Sequence, residues 1–229
     1  VILTRLILNA RHPVAARDAA VPYEMHRTLA RCFPEGPSLP VTGETKQESR
    51  PGYRAAYDVL FRVESAPAGP TRMVLVQSTV PLRVEALPPG YLVGAEHKEF
   101  APEVVEGQTL GFRLLANPVL RESRKPGETG KHSRRRALPL TGEAYGTSPA
   151  LDWLERQGMR CGFKPMQVSM QAVAPPSLSV AHGKGAVAHQ GILYDGRLVV
   201  TDAAWFIRAL RKGIGPAKAF GFGLLSVAP

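Results

Sequence analysis

Cysteine is scarce in this 229-residue chain: Cys32 and Cys161 stand far apart, and neither has a CxxC partner. A zinc site needs about four ligands at short spacings, so the pair reads as two reduced thiols, one or both buried. The six histidines (His12, His26, His97, His132, His182, His189) include no HExxH and no i, i+4 pair. No metal site and no cofactor is therefore expected. No stretch approaches the ~18 apolar residues of a membrane-spanning helix. Residues 1–8 are apolar but carry Arg5 and lack a small-residue cleavage site, so they read as a strand rather than a signal peptide, and the cytoplasm is the expected compartment. Acidic residues are the other deficit. Asp+Glu 19 against Lys+Arg 29 leaves a formal net charge of +10, a field that favours a polyanion. With 44% hydrophobic and 21% charged residues, the composition is that of a folded chain rather than a disordered one.

Apolar spacing then divides the chain. Residues 2–9 alternate as an opening strand. Pro22 precedes a helical stretch at 23–32, in which Met25, Leu29 and Cys32 share one side. Residues 34–52 hold four prolines and three glycines and read as a long loop. Strands are expected at 54–64 and 71–79, joined by a turn at 66–70, and a Pro/Gly-rich stretch at 87–94 leads to a short piece at 97–100. Beyond residue 105 the same order returns. A strand is expected at 109–116 and a short helix at 150–157. Strands follow at 163–173, 177–180, 187–194 and 197–200. The step Asp195-Gly196 reads as a tight hairpin turn, and Asp202 as the N-cap of a helix at 203–211. The expected fold is α+β, with ferredoxin-like βαββαβ halves at 1–105 and 106–229.

Three features carry chemistry. On a helix, Tyr23, His26 and Arg27 fall at i, i+3 and i+4 and share a face. A phenol, an imidazole that titrates near neutrality and a fixed cation suit phosphoryl-transfer chemistry, although an amphipathic helix carries such residues on its polar side by chance. A basic run, Arg121, Arg124, Lys125, Lys131, Arg134, Arg135 and Arg136, puts seven cations against two acids in 16 residues. That exceeds what solubility requires and suits a phosphate backbone. The chain closes on Gly213-Ile214-Gly215-Pro216-Ala217-Lys218, with Gly221 and Gly223 following. The dinucleotide fingerprint GxGxxG fails because Lys218 occupies the third glycine position, and no Gly-Lys-Ser/Thr is present. A tight turn and an RNA-backbone loop flanked by Lys212 and Lys218 both remain open for this segment.

Taken in order, several blocks resemble the CRISPR RNA-processing endoribonuclease of the type I-E Cascade complex. They are Leu3-Thr4-Arg5-Leu6, Val21-Pro22-Tyr23-Glu24-Met25-His26-Arg27-Thr28-Leu29 and Phe112-Arg113-Leu114-Leu115-Ala116-Asn117-Pro118. Trp153-Leu154 and the closing segment from Gly213 to Pro229 complete the set. The resemblance implies two tandem ferredoxin-like (RRM-like) domains and metal-independent cleavage of precursor CRISPR RNA at the base of the repeat stem-loop. It also implies attack by the ribose 2′-OH, leaving a 2′,3′-cyclic phosphate and a 5′-OH. The family's histidine and tyrosine fall on His26 and Tyr23, and Arg27 matches a phosphate-neutralising position. The implied partners are the CRISPR RNA hairpin, other Cascade subunits and, through that complex, target DNA, with no membrane. A hairpin that carries several cations in the family is represented here by His182-Gly183-Lys184-Gly185, with Lys184 its one lysine. The competing readings are a non-catalytic RNA-binding subunit on the same fold and, more remotely, a nucleotide-binding enzyme.

Overall fold

Alternation builds the first strand. In β1 (Ile2–Leu8), Thr4, Leu6 and Leu8 are buried while Arg5 faces solvent, the period of two that a one-sided strand requires. The computed structural model describes residues 1–34, 52–65, 72–121, 135–141, 148–173 and 191–229. Its first compact unit holds Val1–Pro102 and takes back Lys218–Gly221; its second holds the rest of the described chain.

In the first unit, β1 is followed by α1 (Pro13–Ala20), α2 (Pro22–Arg31), the single helical turn α3 (Tyr53–Ala56), β2 (Leu60–Ser65), β3 (Arg72–Ser78) and β4 (Leu92–Glu99). The antiparallel sheet runs β2-β3-β1-β4, which is the ferredoxin-like order. A 3-10 turn at Val84–Ala86 stands where the second helix of that motif belongs. The core gathers Leu6, Leu8, Met25, Leu29, Phe61, Val74, Val76 and Tyr91. One buried charge sits beside it. The Asp18 carboxylate accepts from Thr28 Oγ1 at 2.6 Å, Tyr91 OH at 3.0 Å and Arg17 at 2.7 Å, so α1, α2 and the approach to β4 are tied at one point. Buried polar groups persist only when bonded in this way.

The second unit repeats the topology with β5 (Thr109–Ala116), α4 (Pro149–Cys161), β8 (Phe163–Val173), β9 (Gly191–Val200), α5 (Ala203–Lys212) and β10 (Leu225–Ala228). Its sheet order is β10-β5-β9-β8, again antiparallel throughout. Between β5 and α4 a small ladder pairs β6 (Val119–Arg121) with β7 (Arg135–Ala137). Both helices here are capped by a side chain: Ser148 accepts from the Leu151 N–H, and Asp202, the expected cap, from the Trp205 N–H.

Several local expectations are corrected. Asp195-Gly196 is not a turn: β9 runs straight through it, pairing Asp195 with Arg113 and Gly196 with Phe112. Glycine is required there because β8 bulges between Met166 and Ser169, bringing the Gln167 carbonyl to 2.6 Å from where a Cβ would sit. Residues 54–56, expected as the start of a strand, belong instead to the helical turn α3, and α1 is an extra helix whose start is capped by His12 ahead of Pro13. The stretch at 87–94 already belongs to β4 from Leu92 onward, and α4 extends to Cys161. The turn expected at 66–70, the strand at 177–180, the start of the one at 187–194 and nearly all of the 34–52 loop lie outside the described residues. Among the described residues no helix is long and apolar enough to cross a membrane.

Candidate active site

The site is built on α2. Pro22 occupies the first turn, where its missing N–H costs nothing, and Pro22, Met25, Thr28 and Leu29 are buried. With that face committed to the core, Tyr23, His26 and Arg27 are carried on another, Tyr23 and His26 half-buried and Arg27 exposed. His26 Nδ1 lies 2.7 Å from the Tyr53 hydroxyl, and the two rings are tilted with centroids 5.2 Å apart. Tyr53 in turn stacks on the buried Phe33 at 5.5 Å. Burial first, and the nearby Arg54 cation second, lower the His26 pKa from its ordinary value, which favours the neutral ring. A neutral imidazole is the form that accepts a proton.

Two further contacts dress this face. Tyr23 stacks on Phe220, ring centroids 6.4 Å apart, where the 3-10 turn Lys218–Phe220 returns to the first unit. Glu24 lies 3.3 Å from Arg27 and 3.4 Å from Arg17. Such solvent-facing pairs are worth ~0–1 kcal/mol, so Arg27 is only weakly held by Glu24.

The closing glycines are held by packing. Gly215 has φ +79°, and a Cβ there would come within 3.0 Å of the Trp153 ring; Gly221 has φ +81°, with the Phe61 ring 3.2 Å from its missing Cβ. Gly221 and Gly223 are buried. The N–H of Gly213 donates to the Ala209 carbonyl and that of Gly223 to the Leu115 carbonyl, each at 2.8 Å. The backbone amides of Gly213 and Gly223, which an RNA-backbone loop would aim at a phosphate, are thus engaged within the chain, as in the tight-turn reading. Lys212 is exposed at the end of α5 and Lys218 is half-buried.

The structure therefore brings Tyr23, His26 and Arg27 together on one helix, with Phe220 against the tyrosine. Of the basic run, Arg136 is exposed and Arg121 lies opposite Arg135 in the β6–β7 ladder. Arg124, Lys125, Lys131, Arg134 and Lys184 lie outside the described residues. Sequence reasoning missed Tyr53 and Arg54. They follow a proline-rich stretch and sit 27 and 28 positions from His26, where no periodicity joins them.

A family model described as CRISPR associated protein matches residues 1–229. The CRISPR-associated endoribonuclease Cse3 of Thermus thermophilus is 35% identical over 237 residues, covering 99% of each chain. The CRISPR system Cascade subunit CasE of Escherichia coli is 29% identical over 210 residues, covering 90% of this chain and 92% of its own. Among solved structures, Thermus thermophilus Cse3 bound to an RNA representing a pre-cleavage complex aligns with a TM-score of 0.75 at 32% identity, over 100% of this chain and 98% of that one. With its whole length matched in sequence and in fold, the chain belongs to the CRISPR-associated endoribonucleases of the Cse3 and CasE kind, the family of type I-E Cascade.

Proposed function

We propose that this endoribonuclease cuts precursor CRISPR RNA at the base of the repeat stem-loop without a metal ion, and stays on the 3′ hairpin as a Cascade subunit. The observation that supports it best is the half-buried His26 on α2, its Nδ1 2.7 Å from the Tyr53 hydroxyl, with Tyr23 and Arg27 on the same face. The RNA-bound Cse3 relative points the same way. In this reading the ribose 2′-oxygen attacks the adjacent phosphorus and the P–O5′ bond breaks, leaving a 2′,3′-cyclic phosphate and a 5′-OH. His26 carries the proton, Tyr23 packs and hydrogen-bonds beside the reacting phosphate, and Arg27 offsets its charge. Alignment of the 2′-oxygen, phosphorus and 5′-oxygen by the bound hairpin supplies the remainder of the acceleration.

The proposed division of labour places the chemistry in a first domain, 1–105, and much of the grip in a second, 106–229. The basic run Arg121, Arg124, Lys125, Lys131, Arg134, Arg135 and Arg136 tracks phosphates, with Lys184, Lys212, Lys218 and the closing glycine loop alongside. The β6–β7 register favours this, since it sets Arg121 against Arg135. Specificity then comes from hairpin shape, because the major groove of A-form RNA is deep and narrow.

The test incubates the protein with a repeat stem-loop RNA and with a copy whose stem cannot pair. The expected outcome is one cut at the base of the paired stem, with the hairpin product co-eluting with the protein. Tight binding of the paired RNA without a cut would instead make the chain a non-catalytic RNA-binding subunit.

A further inference from the structure

Tyr53 makes two contacts with one residue. Its hydroxyl lies 2.7 Å from His26 Nδ1 and 3.0 Å from the His26 carbonyl oxygen. A phenol has one proton to donate. If that proton goes to the carbonyl, Nδ1 must carry a hydrogen and donate it to the phenol oxygen, and both contacts are hydrogen bonds. If it goes to Nδ1, only one bond is made. In a half-buried setting the arrangement with more bonds made is favoured. Burial also drives the Tyr53 pKa far above its ordinary value, so the phenol keeps its proton.

The same arrangement suits both charge states of the ring. An imidazolium bears hydrogen on both nitrogens, so a bond from Nδ1–H to the phenol oxygen survives when Nε2 takes up a proton. Nothing has to turn during the reaction. The phenol itself is fixed from behind by its stack on Phe33, which is 3% exposed. Charged groups on the elements around the ring are Glu24, Arg27 and Arg31 of α2, Arg17 and Asp18 of α1, Arg54 of α3 and Lys218 of the closing 3-10 turn. Of these, the Arg54 field is the one that acts on the imidazole, and it favours the neutral ring.

We infer that Tyr53 is a positioning residue, holding neutral His26 as the Nδ1–H tautomer so that the Nε2 lone pair is presented to the ribose 2′-OH as general base. This rests on His26 being the proton carrier. The 2′-OH proton passes to Nε2, the 2′-oxygen pair forms the new P–O bond, and the electrons of the P–O5′ bond leave on the 5′-oxygen. That oxygen is then protonated by the imidazolium or by water. The orienting role matches the general rule that the bond made by one ring nitrogen decides the state of the other.

Nitrogen-15 NMR of the histidine rings, at a pH where they are neutral, reads the tautomer directly, with His26→Ala assigning the signal. Wild type should show Nδ1 protonated, and Tyr53→Phe, which keeps the ring stack and removes only the hydroxyl, should move the signal towards Nε2–H. Single-turnover cleavage by Tyr53→Phe should fall at least about tenfold, within the ~10²–10⁴ that acid–base help is worth, with hairpin affinity unchanged. A wild-type His26 already protonated at Nε2 overturns the inference, whether or not the variant folds. So does a Tyr53→Phe protein that cuts at the wild-type rate. An inert His26→Ala beside an unimpaired Tyr53→Phe removes the positioning role alone, whereas a fully active His26→Ala removes the reading beneath it.

Discussion

The two units share one topology and differ in what they bury. In the second, α4 and α5 each lay an apolar face, with Trp153, Leu154, Phe206 and Leu210, on the sheet. In the first, the second helix has shrunk to the 3-10 turn Val84–Ala86, and polar groups enter the interior. Of the seven buried polar side chains among the described residues, Asn117 alone belongs to the second unit; Thr4, Asp18, Thr28, Arg62, Gln77 and Ser78 lie in the first. The first helices of the two motifs make the contrast sharpest. Both α2 and α4 bury positions spaced three and four apart, but the outer face of α2 carries Tyr23, His26 and Arg27, while α4 shows Glu155, Arg156, Met159 and Arg160 to solvent. One fold thus serves as an apolar scaffold in one copy and, in the other, accepts buried polar groups beneath a helix that carries a titratable side chain.

The comparison breaks most visibly at His26. His26→Ala should lose ~10²–10⁴-fold in single-turnover cleavage with hairpin affinity nearly intact, while Glu155→Ala on the outer face of α4 leaves the rate unchanged. Tyr23→Phe should cost less, because its ring still packs on Phe220 and only the hydroxyl is gone. A tyrosine variant more damaged than the histidine one would make the phenol the main proton carrier. Next in size is the grip of the second unit. Changing Arg134, Arg135 and Arg136 together to Ala should weaken binding and flatten the log–log salt dependence by roughly one unit per lost phosphate contact. The effect should be alike for hairpins of altered stem sequence, since phosphate contacts position RNA without reading it. An unchanged slope, measured by titration at several salt concentrations, would return the run to the role of a solvated loop.

The smallest expected effect concerns the closing glycines. Gly215→Ala places a side chain at φ +79° against Trp153 and should cost about 1–2 kcal/mol of stability in thermal or urea unfolding. Gly94→Ala, in ordinary contact with Ile7 at 3.7 Å, should stay within about 0.5 kcal/mol. A Gly215→Ala protein that unfolds normally but binds RNA less well would show the proposed RNA contact of this loop directly.

Much of this was legible in the chain because pattern and fold agree locally. Apolar patterning located β1, β5 and β8 to within a residue or so, Asp202 announced α5, and Pro22 with the apolar spacing of Met25, Leu29 and Cys32 announced α2. What escaped depends on distant partners. The buried anchor of α1 is a carboxylate, Asp18, which no apolar periodicity reveals. Asp195-Gly196 carries a strong turn signal, yet the bulge across the ladder in β8 is what calls for that glycine. The GxG pairs resemble a phosphate loop, but the aromatic rings of Trp153 and Phe61 account for Gly215 and Gly221. Tyr53 meets His26 through tertiary packing alone.

The most direct test of the central claim is cleavage in excess chelator of a repeat hairpin and of a copy carrying a single 2′-deoxy at the cut position, with the product ends analysed. An imidazole-driven attack by the 2′-oxygen predicts undiminished cutting of the first RNA to a 2′,3′-cyclic phosphate and a 5′-OH, and none of the second. A 3′-OH with a 5′-phosphate, cutting of the deoxy copy, or loss of activity on chelation would contradict it.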